Sequence, residues 1–189
     1  VAMSSLDKIR KERRDLAILI IAFGFVIGCV LYDLATSLIY KGINHPVAVA
    51  LGHDVAPNGR IHFRGTSPLG FSLLSGGLII RSIALIAGAI FLIQIGRRAL
   101  RNEFFSLKVL CLFRRSCIAV AATFLGYGLQ LLGADVISHQ HHLNREWSHQ
   151  FTFPNYMFTV SYFFLITLII MTIIVKRGIL MQEDQEGLI

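Results

Sequence analysis

Residues 69–95 read LGFSLLSGGLIIRSIALIAGAIFLIQI, an apolar run whose only charge is Arg81. A helix needs about 20 such residues to cross the hydrocarbon core of a bilayer, and this run exceeds that length. Three further runs meet the same criterion on either side of it. They extend from Leu16 to Tyr40, from Cys117 to Ile137 with an amphipathic lead-in before it, and from Tyr156 to Val175. The chain has 189 residues, is 54% hydrophobic and only 15% charged. Soluble domains run near a quarter charged. The charges are bunched between the runs, as expected where a charge in hydrocarbon is costly. The expected fold is therefore an all-α membrane protein, one domain of four transmembrane helices spanning about 16–40, 69–95, 117–137 and 156–175.

The net charge of +7 does not indicate nucleic acid. The basic residues flank apolar runs and form no polar domain of their own. Their distribution instead sets an orientation. Lys8, Arg10, Lys11, Arg13 and Arg14 precede the first span. Arg97, Arg98, Arg101, Lys108, Arg114 and Arg115 lie in the segment 96–116, and Lys176 and Arg177 follow the last span. The loops 41–68 and 138–155 hold only Lys41, Arg60, Arg64 and Arg145. The positive-inside rule then places both termini and the middle loop in the cytoplasm, with the other two loops outside. Cys29 sits in a box, Val26-Ile27-Gly28-Cys29, that is similar to a lipoprotein cleavage site. The run continues apolar to Tyr40, however, longer than a signal segment, so the first span is expected to be retained. Val1-Ala2-Met3 leaves open whether Met3 is the natural start.

In the first outer loop, Val47 to Leu51 and Arg60 to Arg64 are short β-prone runs around His53-Asp54-Val55-Ala56-Pro57-Asn58-Gly59. Asn-Gly is a strong turn signal, and the pattern predicts a small hairpin over the outer membrane surface. In the second outer loop Trp147, Phe151, Phe153 and Tyr156 form an interfacial aromatic belt leading into the fourth helix, with Pro154 marking its start. Within the spans, Gly24 and Gly28, Gly76 and Gly77, Gly88, Gly126 and Gly128 are positions where helix backbones can approach closely. Gly24 and Gly28 make a G-x-x-x-G. The cysteines, Cys29, Cys111 and Cys117, form no C-x-x-C pair and read as small apolar packers.

Two constellations can carry chemistry. All seven histidines fall in the outer loops. His139, His141 and His142, with His149 or one of His45, His53 and His62, can supply imidazoles to a transition metal. The plainer reading of the same residues is a solvated polar loop, and a pH-responsive surface is a third. A metal site would require the two outer loops to touch. No histidine lies inside a span to ligate a transmembrane haem, and no cofactor is expected. The second constellation is Asp33 in the first span and Arg81 in the second, at a similar depth on antiparallel helices. An ionisable residue within a membrane should have a partner, and these two form the obvious ion pair, as packing anchor or as functional site. No phosphate loop, nucleophile elbow or paired-carboxylate arrangement appears, so no enzyme activity is expected.

Asn102-Glu103-Phe104-Phe105-Ser106 followed by Arg114-Arg115, with the acidic ending Met181 to Ile189, resembles a signature of the bacterial inner-membrane family catalogued as domain of unknown function 2975. In that family a Pro-Phe-Ser-like turn after the second span precedes a Leu-Arg-Arg-Ile-Gly-like start of the third. Here Glu103-Phe104 stands where Pro-Phe is usual, Ser116-Cys117 follows the arginines, and Gly187 interrupts the ending. The resemblance implies a four-span membrane protein, often encoded beside small helix-turn-helix regulators, and transfers no catalytic residue. Three functions stay open. One is an accessory or regulatory subunit acting through helix and outer-loop contacts with a membrane-protein partner or a second copy. Another is a small transporter or ion-handling protein using Asp33, Arg81 and the histidines. The third is a cofactor-free peripheral subunit of a respiratory or other redox complex.

Overall fold

The computed structural model describes residues 5–101, 103–142 and 156–186. The elements are α1 (Ser5–Ile39), β1 (Gly42–Asn44), α2 (Val47–Val55), a 3-10 turn (Pro57–Gly59), β2 (Arg60–His62), α3 (Pro68–Ala99), α4 (Leu107–Gln140) and α5 (Tyr156–Glu186). Four helices are long and apolar enough to cross a membrane, over Arg14–Ile39, Pro68–Ala99, Leu107–Gln140 and Thr159–Gln182. The chain is a multi-pass membrane protein. Each helix continues past its apolar span. The clearest case is α4, which begins at Leu107 rather than near Cys117. Val109, Leu110, Leu112, Phe113 and Ser116 line its buried side, while Lys108, Arg114 and Arg115 stay exposed. Burial of one stripe is enough to hold three more helical turns. The Ser106 hydroxyl accepts the Val109 N–H at 3.4 Å and caps the start.

The first loop departs from the expected hairpin. β1 and β2 do pair antiparallel, with Ile43 opposite Ile61. Val47 to Leu51, however, is helical, and the first strand is Gly42–Asn44. Pro46 holds φ at −54° in the right-handed region at the N-cap of α2. The next residues then bury Val47, Ala48 and Leu51 on one helical face. Burial overrides the β-propensity of valine, which reflects packing more than backbone preference. Asn58 and Gly59 both take positive φ, 57° and 68°, so the Asn-Gly turn is made inside the 3-10 turn, after α2. Of the expected belt, Trp147, Phe151 and Phe153 lie outside the described residues, as does Pro154, while Tyr156 opens α5.

By contacts the chain divides into two compact units, each assembled from several segments. One comprises Val1–Cys29, Leu85–Val120 and Phe163–Ile189; the other comprises Val30–Ala84 and Ala121–Tyr162. The core of the first is Ile95 from α3, Val109, Leu110, Leu112 and Phe113 from α4, and Leu168, Val175 and Ile179 from α5. Phe104 stands edge-on to Phe105 and to Phe113, at centroid distances of 5.2 and 6.2 Å. The Phe105 ring fills the space over Gly178, where any side chain would collide with it. Arg98 Nη1 and Glu103 Oε2 pair at 2.8 Å across the turn from α3 to α4.

The core of the second unit joins the first loop to the helices. Ile43, Val47, Ala48, Leu51, Ala56 and Ile61 share one buried cluster with Leu74 and Leu78 of α3 and with Ala134 and Ile137 of α4. The loop is therefore a plug with its own apolar core, packed on α3 as far as its third turn. The antiparallel β1–β2 pair is part of this packed loop. In the same unit α3 and α4 meet backbone to backbone. A Cβ on Gly77 would stand 2.5 Å from the Gly126 carbonyl oxygen, and one on Gly133 would stand 2.7 Å from that of Gly70. The two contacts recur at seven-residue spacing on both antiparallel helices, the repeat of a left-handed seam.

Candidate functional site

The second unit gathers polar groups of unusual kind for a membrane protein. Asp33 lies two turns from the end of α1, and Arg81 lies midway along α3. Arg81 Nη2 stands 3.4 Å from Asp33 Oδ2, with the two side chains 30% and 37% exposed. Charge-assisted hydrogen bonds usually measure about 2.7–2.9 Å, so this ion pair is loose. The Asp33 carbonyl also accepts the Thr36 hydroxyl at 3.0 Å. The close approach of α4 to this point depends on Gly126: a Cβ there would lie 2.7 Å from the Arg81 amide nitrogen.

His45 belongs to the same unit. It is 7% exposed, and its Nδ1 accepts the Val47 N–H at 3.3 Å. An accepting Nδ1 carries no proton, so the ring is neutral in this arrangement. Burial pushes its pKa down from 6.5 to about 4, and the positive charge of Arg81 adds a smaller repulsion. The bond to Val47 also holds the first turn of α2, so His45 ties the local fold of the plug to a titratable group. Nearby in the unit's interior, Gln130 of α4 is 2% exposed. Among the described residues its Oε1 has no hydrogen-bond partner, nor do the buried hydroxyls of Ser37 and Ser138.

The remaining histidines are arranged otherwise. His139 is exposed, its Nε2 3.9 Å from Oδ2 of Asp135 one turn earlier on α4. His141 Nε2 donates to the Gly65 carbonyl at 3.2 Å, and Gln140 Oε1 accepts the Ser67 N–H at 2.6 Å. The two loops therefore do touch, at the end of α4. His142 is exposed and takes φ 59° just past that helix. His62 Nδ1 lies 3.0 Å from the Lys41 carbonyl, to which its N–H tautomer donates. His149 lies outside the described residues. Among the described residues no three His, Cys, Asp or Glu side chains gather as a metal site would require.

Sequence reasoning singled out Asp33 and Arg81 because they are charges inside spans. It placed His45 with the other loop histidines and passed over Gln130. One signal was available for His45: it directly precedes Pro46 and an apolar run, the place where a side chain can cap a helix. Compared with known proteins, the chain matches no family model, no curated protein and no solved structure.

Proposed function

We propose that this chain is a non-enzymatic protein of the bacterial inner membrane, with both termini cytoplasmic, serving as an accessory or regulatory subunit. Its contacts with a membrane-protein partner run through α1 and the plugged outer loop. The observation that carries this reading is the state of α1. None of its most apolar window is buried within the chain, against 28% for the windows of α3 and of α4. Gly24 and Gly28, the G-x-x-x-G of that helix, have nothing within 4 Å of where a Cβ would stand. One side of α1 packs within the chain, with Leu19 at Gly96, Leu34 against the second unit's core and Asp33 at Arg81; the side carrying Ile21, Phe25 and Tyr32 is bare and available to another helix. The resemblance to the four-span family agrees with this reading, and membership is part of the proposal. The direct test is purification of the intact chain from native membranes in mild detergent. A stable complex with one defined membrane protein at fixed stoichiometry supports the subunit role, and recovery of this chain alone overturns it.

A second reading, a small transporter, is favoured by one observation: the loose Asp33–Arg81 pair and the buried neutral His45 lie in one unit, with unpartnered Gln130 Oε1 in its interior. Proton- or ion-coupled flux in vesicles, lost on Asp33→Asn, would favour it. The orientation is tested by cysteine accessibility in a variant lacking Cys29, Cys111 and Cys117. A cysteine at Asn58 should label from outside, and one at Asn102 should be protected.

A further inference from the structure

The opening turns of α4 carry two stripes. Val109, Leu110, Leu112, Phe113 and Ser116 are buried in the first unit, while Lys108, Cys111, Arg114 and Arg115 are exposed. The exposed stripe is bracketed by Leu107 and Ile118, each 69% exposed. Within one turn the surface passes from two guanidinium groups to a bare isoleucine. Water does not favour that sequence of groups, but the boundary between lipid headgroups and acyl chains does.

Along α4 these charges have no acidic neighbour. The first turn of α4 has no acidic residue, although a helix N-terminus favours negative charge. The first acidic residue along α4 is Asp135. Of the arginines ending α3, Arg98 pairs with Glu103, while Arg97 and Arg101 are exposed. The shared core of Ile95, Val109 to Phe113, Val175 and Ile179 holds three helix segments together. Lys176 and Arg177 follow directly on Val175 and are also exposed. Cations from three helices thus crown one end of this unit.

We propose that this end of the first unit binds an anionic phospholipid, its phosphate held by Arg114 and Arg115, with Lys108, Arg97 and Arg101 adding positive charge at the same end, and its acyl chains running past Ile118 along the span. Arginine forks suit a phosphate diester, and the apolar bracket is what a free phosphate would leave unused. Cation number alone would satisfy the positive-inside rule; it does not require an acid-free stripe flanked by exposed leucine and isoleucine. The proposal stands apart from the subunit reading.

The test uses the intact chain purified in detergent, with retained lipid counted by native mass spectrometry after mixing with phosphatidylcholine and phosphatidylglycerol. The wild type should retain phosphatidylglycerol preferentially. Arg114→Gln with Arg115→Gln should lower that retention by roughly tenfold or more, since each Lys or Arg near an anionic surface contributes about a factor of five. Lys41→Gln with Arg64→Gln, which removes equal charge from exposed positions of the second unit, should leave it unchanged. Equal retention of the two lipids by the wild type would overturn the proposal, as would equal losses in both double variants. An arm on the wild type alone guards against a variant that fails to insert: glycerophosphate should not displace the lipid, and displacement would assign a free-phosphate site instead.

Discussion

The two units solve the same problem by opposite means. Lipid tails are as apolar as leucine, so helices in a bilayer gain little from burying apolar surface against one another. The first unit is held by large side chains, the Phe104–Phe105–Phe113 group with Leu168, Val175 and Ile179. The second brings backbones together through Gly70, Gly77, Gly126 and Gly133 and then packs a loop between helix ends. The first keeps its charges outside. The second encloses His45 and Gln130 and holds Asp33 against Arg81. Close backbone packing leaves little room to adjust, which suits a unit that must keep polar groups in fixed places.

This contrast predicts unequal tolerance of added bulk. Gly77→Leu or Gly126→Leu should cause the largest loss of thermal stability in detergent, about 3 kcal/mol or more, because backbone rather than a movable side chain occupies the space. Gly128→Leu, at a position with nothing within 4 Å, should melt with the wild type. Equal sensitivity at Gly77 and Gly128 would dissolve the seam.

The next effect is acid sensitivity in the second unit. The pKa of His45 lies lower in the folded state, about 4, than in the unfolded state, 6.5. The unfolded chain therefore binds the proton more readily between those values, and stability falls as pH drops from 6.5 towards 4. The full difference corresponds to about 3 kcal/mol. Melting measured across that range should show the decline, and His45→Gln should flatten it. A parallel decline in the variant would assign the acid sensitivity to other groups.

A smaller effect is expected at the ion pair. Breaking a buried pair by removing one partner costs about 3–5 kcal/mol. Arg81 and Asp33 are each about a third exposed and 3.4 Å apart, so Asp33→Asn or Arg81→Gln should cost nearer ~1–2 kcal/mol. The double change should cost less than the sum of the two, and strict additivity would show no coupling.

The four helices were legible in the sequence because apolar length is a one-dimensional signal. The ion pair was legible because Asp33 and Arg81 interrupt that signal. The plug was not. Val47 to Leu51 carries strand-forming residues, and only the core they share with Leu74 and Ile137 makes them helical. Among the glycines the sequence offered Gly24 and Gly28 on the same footing as Gly77 and Gly126. Which pair meets a neighbour depends on the partner helix, and Gly70 and Gly133, half of the seam, are not among the glycines the sequence singles out. His45 resembled six other loop histidines until its burial distinguished it.

The central claim is that the bare side of α1, opposite the one that packs within the chain, serves a partner. A photoreactive amino acid at Phe25, which is 73% exposed on that helix, tests it in native membranes. The account predicts one discrete heavier adduct from Phe25 and none from the same probe at Ile83 on α3 or Ile173 on α5. No adduct at Phe25, or the same adducts from all three positions, would contradict it.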